Sequence, residues 1–246
     1  MPGSRADGAA SRIRSCIPVL CLLLPVWSVK AQAPGGERNA VSAYSARKAQ
    51  TLLGRQLPCL GCHAWGDSGG RLAPDLATVR QRRSPEYIAA MIDDPQGTAP
   101  GSAMPKTPML PATRDVVVGY LQSLPGNASS APVSSREGVA VSEPPDGRGL
   151  YVRWCAGCHG STGRGDGPNA AHLPVRAAVH ADTAMGARSD DALYDTIAGG
   201  GAIMNRSARM PAFGATLSDA QIRALVAYIR TLCRCQGPGW SRDGDR

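Results

Sequence analysis

Large aromatic side chains are scarce in this chain of 246 residues: one Phe, four Trp and six Tyr. Rings normally carry much of a core's buried area. The chain must therefore build small cores from Ala, Val, Leu and Ile, or take an apolar body from outside. No apolar run is long enough for a comfortable membrane span; the longest, within 16–29, falls short. Dense Lys/Arg runs with interleaved aromatics are missing, which argues against nucleic acid as a partner. Clear period-two alternation is also missing, which argues against a sheet.

The N-terminus has a positive region at Arg5, Arg12 and Arg14, the apolar stretch 16–29 and the small-residue site VKAQA. This pattern predicts a signal peptide over 1–33, with cleavage after Ala31 fitting the small-residue rule. The expected location is the bacterial periplasm, with no integral membrane span after cleavage. Losing 1–33 lowers the formal net charge from +8 to about +5. A mildly basic body favours encounter with acidic protein patches or anionic surfaces.

Cys16 and Cys21 leave with the signal, so six cysteines remain: Cys59, Cys62, Cys155, Cys158, Cys233 and Cys235. Four of them form two CxxC pairs, which is not the spacing of a disulfide framework. CLGCH at 59–63 and CAGCH at 155–159 head a longer repeat. Downstream, 83–93 matches 188–198, Met104-Pro105 matches Met210-Pro211, and 116–124 matches 224–232, with Tyr120 opposite Tyr228. The offset grows along the chain, so the second copy carries an insertion after its CxxCH. Residues 125–142 are rich in Ser, Pro, Gly and Ala and read as a linker. The expected domains are 34–124 and 143–235, followed by a disordered tail over 236–246.

Both copies read as all-α. Ser218 and Gln221 predict a capping box, followed by Ile222, Leu225, Val226, Ile229 and Leu232 on one stripe. Thr113 is the expected cap of the equivalent helix in the first copy. Ser84 with Pro85 predicts the start of a middle helix, and 41–56 a helix before the first CxxCH.

CxxCH can hold zinc, cycle as a dithiol or anchor a haem. Structural zinc needs four ligands, and adjacent Cys and His rarely close one tetrahedron well. A thioredoxin-type dithiol expects a βαβ context that this helical sequence lacks. Haem attachment uses every residue of the motif: Cys59 and Cys62, or Cys155 and Cys158, as thioether anchors, and His63 or His159 as the iron ligand. A sixth ligand is expected further on, and a Met in a Pro-bounded loop suits that role. Met104 and Met210 stand there, 41 and 51 residues past their histidines. Haem is the preferred reading, zinc or dithiol the remaining ones. A haem would also supply the apolar centre that a domain of this size lacks.

These motifs resemble a tandem dihaem class I cytochrome c, an exported bacterial electron carrier. The resemblance extends over roughly 41–232 and implies two class I cytochrome c-like helical domains, each wrapped around one covalent haem c. It implies that a proline carbonyl orients each histidine: Pro74 in the first domain, and Pro168 in preference to Pro174 in the second. It implies iron ligation by His63 with Met104 and by His159 with Met210.

Met109 and Met204 are the local rivals as ligands, and Met91 is expected in a helix as core. His172 and His180 could make a bis-His iron, but a solvated insertion loop is the preferred reading. Cys233 and Cys235 read as a surface disulfide or free thiols. With all six iron positions filled, the expected function is electron transfer between periplasmic redox partners, a donor and an acceptor that include a dehydrogenase or terminal oxidase. A subunit of such a complex, or a dihaem peroxidase or thiosulfate-oxidising enzyme, is the alternative.

Overall fold

The computed structural model describes residues 41–125 and 146–241, all within one compact unit, Asn39–Arg246. The signal peptide lies outside these residues, as do almost all of the linker and the end of the tail.

Helix starts follow the side-chain caps. Ser42 opens α1 (Ala43–Thr51) by accepting the Ser45 amide, and a π turn, Leu52–Gln56, continues it. Ser84 and Pro85 open α2 (Pro85–Asp93), and one turn, α3 (Pro95–Thr98), follows. In α4 (Pro111–Ser123) the start differs from expectation. Leu110 is the N-cap, Pro111 sits at the first position, and Thr113 lies inside the first turn with its amide on the Leu110 carbonyl. The proline ring presets the helical φ, so no side-chain cap is required. The second copy has α5 (Gly147–Trp154), the single turn α6 (Ala156–His159), α7 (Asp190–Ile203) and α8 (Asp219–Cys233). Ser218 and Gln221 form the capping box of α8. Among the described residues the only sheet is one two-residue hairpin, β1 (Ala64–Trp65) with β2 (Ser68–Gly69).

Two apolar clusters form. The first gathers Ala49, Leu53, Leu60, Ile88, Val117 and Leu121 with their neighbours. The second gathers Leu150, Tyr151, Leu193, Ile197, Ile222, Leu225 and Ile229. In both, the helix preceding the CxxCH packs on the last helix: α1 on α4, and α5 on α8. The matched tyrosines occupy those contacts. Gln50 donates to the Tyr120 hydroxyl at 3.2 Å, and the Tyr228 ring lies 5.2 Å from that of Tyr151.

Cys233 and Cys235 are joined as a disulfide after α8, with Arg234 between them in the left-handed region. Part of the tail, up to residue 241, lies among the described residues. Gly237 is buried and Gly239–Ser241 makes a 3-10 turn.

Bonds also run between the two copies. The Arg209 guanidinium donates to the carbonyls of Gly54 at 2.8 Å and Leu53 at 3.3 Å. Arg153 donates to Ser102 at 3.0 Å, and the Lys106 amide donates to the Thr216 hydroxyl at 2.9 Å.

The small cores make each large aliphatic count. Leu225 is fully buried between α5 and α8. Leu225→Ala is expected to cost about 2–5 kcal/mol, seen as a lower denaturant midpoint with little change in slope.

Candidate functional site

In the first copy, Pro58 starts the 3-10 turn Pro58–Gly61, which carries Cys59. The amides of Cys62 and His63 both return to the Cys59 carbonyl, at 3.2 and 2.9 Å. In the second copy the amides of Cys158 and His159 return to the Cys155 carbonyl at 3.1 and 2.9 Å. The two pentapeptides thus share one local geometry, which sets both thiols and the imidazole of each motif on the wall of a cavity.

His63 Nδ1 lies 2.7 Å from the Pro74 carbonyl oxygen. His159 Nδ1 lies 2.9 Å from the Ala178 carbonyl oxygen. A carbonyl only accepts, so each proton sits on Nδ1 and each Nε2 keeps a lone pair. Burial holds both imidazoles below the ordinary histidine range, against the opposing pull of the carbonyl bond. Each is therefore a neutral ring with its free nitrogen available to a metal.

Pro168 is not the carbonyl partner of His159, and neither is Pro174. The insertion turns back at Gly165, whose amide bonds the His159 carbonyl at 2.8 Å, and it reaches the imidazole only at Ala178. Pro168 still lines the cavity.

Met104 and Met210 line the same cavity. Their loops are held by their own backbone. Gln96 donates to the Met104 carbonyl at 2.6 Å, and the Gly201 amide donates to the Met210 carbonyl at 3.0 Å. Of the other methionines, Met109 packs on the first core and Met204 ends α7, and neither lines the cavity. Met91 is only partly buried and faces the cavity from α2, and Met185 is buried in the second core.

His180 corrects a sequence expectation. It is 7% exposed rather than solvated. Its ring stacks on that of His159, with centroids 4.1 Å apart and planes 14° apart. Its Nδ1 is 2.9 Å from the Tyr151 hydroxyl. Burial, then the neighbouring His159 and Arg188, pushes its pKa down to about 3. Two rings stacked face to face leave no space for an iron between them, so His180 backs His159 rather than opposing it. Its only sequence signal was its position eight residues past His172 in the insertion; His172 itself is exposed.

The cavity has a volume of about 2440 Å³ and draws its wall from both copies. Single small-molecule pockets run to about 300–1,000 Å³, so there is room for more than one large ligand. Its wall includes eight arginines and two aspartates. Arg188 is held below the usual guanidinium range, first by burial and then by nearby Arg206. The buried indole N–H of Trp154, on the same wall, has no hydrogen-bond partner in the protein. Apolar walls, paired cations and an orphan donor suit a flat apolar ligand that carries carboxylates.

The thiols do not suit the rival readings. Burial pushes Cys59 up to about 11, and Cys62 and Cys155 to about 12, with Cys158 moved in the same direction. A thiol held neutral in this way is a poor nucleophile, which disfavours the dithiol reading. Among the described residues no group of three or more His, Cys, Asp or Glu side chains is placed to hold a metal ion. The residues fit haem: cysteine thiols, neutral imidazoles and Met thioethers all line the cavity.

The comparisons with known proteins bear on the second copy. Residues 142–229 match the family model of cytochrome c oxidase, cbb3-type, subunit III. No curated protein matches the chain. A chain of the Kuenenia stuttgartiensis reducing HAO-like protein complex is 20% identical, over 79% of this chain and 97% of that one, with a TM-score of 0.30. Residues 142–229 are a cytochrome c domain, which implies at least one covalent haem c and a role in electron transfer.

Proposed function

We propose that the chain is a dihaem c-type cytochrome that passes electrons between periplasmic redox partners, with one haem c in each of two domains, 34–124 and 143–235. The observation that carries this is the duplicated histidine geometry: in both copies Nδ1 is tied to a carbonyl while a Pro-followed Met lines the same cavity. Cys59, Cys62, His63 and Met104 would hold one haem, and Cys155, Cys158, His159 and Met210 the other.

Haem supplies a one-electron ferric/ferrous couple when bound. The protein's share is to hold and shield that couple. The carbonyls of Pro74 and Ala178 keep each histidine in one tautomer and one orientation. Met104 and Met210 would supply the remaining ligands and leave no position for a substrate, which favours a carrier over a peroxidase or a thiosulfate-oxidising enzyme. The arginines lining the wall would offset the carboxylates of a bound haem. No helix among the described residues is long and apolar enough to cross a membrane. The oxidase-subunit name of the matched family favours one setting for such a carrier, as a component of a terminal oxidase or a partner to one.

Intact mass of the exported protein is expected to show two added haems. Cys59→Ser with Cys62→Ser should remove one of them, and Cys155→Ser with Cys158→Ser the other. A wild-type mass with a single haem would refute the paired reading.

Met-for-His exchange tests the ligands. His/Met ligation gives a higher potential than two nitrogen ligands. Met104→His and Met210→His should each move a different step of a two-step redox titration to lower potential. Two unmoved steps would place the sixth ligands elsewhere.

A further inference from the structure

The insertion of the second copy sends one side chain into the first. Asn169 is 0% exposed. Its backbone amide donates to the carbonyl of Gly157, the third residue of the second CxxCH, at 2.9 Å. Its side-chain Nδ2 donates to the carbonyl of Gly61, the third residue of the first CxxCH, at 2.5 Å, and lies 3.5 Å from Cys158 Sγ. Its Oδ1 accepts the Arg71 amide at 2.7 Å. One residue thus joins the equivalent carbonyls of both haem-attachment segments.

The surroundings admit only this close approach. A Cβ on Gly70 would lie 2.5 Å from the Gly61 carbonyl oxygen and 2.8 Å from the Asn169 amide group. A Cβ on Gly157 would lie 2.6 Å from the Leu72 side chain. The Asn side chain also matches its site: each polar atom has a partner, so nothing buried is left unpaired.

We propose that Asn169 is the positioning residue that sets the two cysteine–histidine segments edge to edge and supplies a hydrogen-bonded route for the electron between the two haem sites. This rests on the dihaem reading. With haem held at both histidines, one electron would pass between the sites, one being oxidised as the other is reduced. No bond is made or broken and no proton moves. The contact is short, and Asn169 and Gly61 are both buried.

The test is the rate of electron equilibration between haems after pulse reduction of the holoprotein, with haem content and both potentials measured on the same samples. Asn169→Leu keeps the shape and removes the bonds. Gly70→Ala keeps Asn169 and displaces its side chain from the other copy. Thr216→Val removes a bond between the copies that is remote from the cysteine segments. Asn169→Leu and Gly70→Ala are expected to slow equilibration, by up to the ~100-fold that a misplacement of about 1 Å can cost, with two haems retained. Hydrogen exchange at the Arg71 amide should speed up in Asn169→Leu, while Thr216→Val leaves the rate near wild type. An unchanged rate in Asn169→Leu with two haems present overturns the inference alone, and so does equal slowing in Thr216→Val. Loss of folded dihaem protein in both site variants reassigns Asn169 to folding and overturns the route. A single haem in the wild-type protein overturns the dihaem reading itself.

Discussion

Two imidazole N–H groups bonded to backbone carbonyls, His63 to Pro74 and His159 to Ala178, decide what this cavity can hold. An imidazole has two nitrogens and one proton when neutral. Fixing that proton on Nδ1 leaves Nε2 as a ligand and fixes the plane in which it points. The acceptors come from different kinds of segment, a proline eleven residues on in one copy and an alanine nineteen residues on in the other. The outcome is the same because any carbonyl at that point in space will do. The requirement lies in the position of an oxygen and not in the identity of the residue that carries it. In the second copy His180 adds a neutral ring stacked on His159, backed by Tyr151, and so restricts the imidazole further.

The scarcity of large rings finds its counterpart in the packing. Each apolar cluster is a few Leu, Ile and Val side chains pressed between an early helix and a late one. Neither encloses the cavity, whose wall is instead shared between the copies and carries many arginines. Cations gathered on one wall favour an anionic ligand. A bound haem brings carboxylates as well as apolar area, so the same ligand answers both needs. Packing and electrostatics therefore point to one cofactor type.

The two CxxCH segments share one local geometry, but the contact between their halves does not come from that likeness. It rests on residues with no counterpart across the copies. Asn169 lies in the insertion, and Arg209 reaches the end of the first helix segment. Most of these bonds end on backbone carbonyls, which stay in place when side chains change. Glycines at 61, 70 and 157 let the segments approach closely enough for one asparagine to span them.

Local rules were enough to determine much from the amino-acid order alone. Ser84 and Ser218 cap helices because their hydroxyls reach an amide three residues on. The CxxCH spacing places two thiols and an imidazole on one turn whatever the remainder of the chain does. The matched Met-Pro pairs could be aligned by counting. Thr113 failed as a cap because Pro111 had already started the helix two residues earlier. What needed the tertiary structure depended on distance through space: which carbonyl meets His159, that His180 is buried against it, and that Asn169 bridges both motifs. An insertion without periodicity carries no local signal of where it returns, so Ala178 and His180 acquire their roles only when it folds back on His159, and Asn169 only when it meets Gly61.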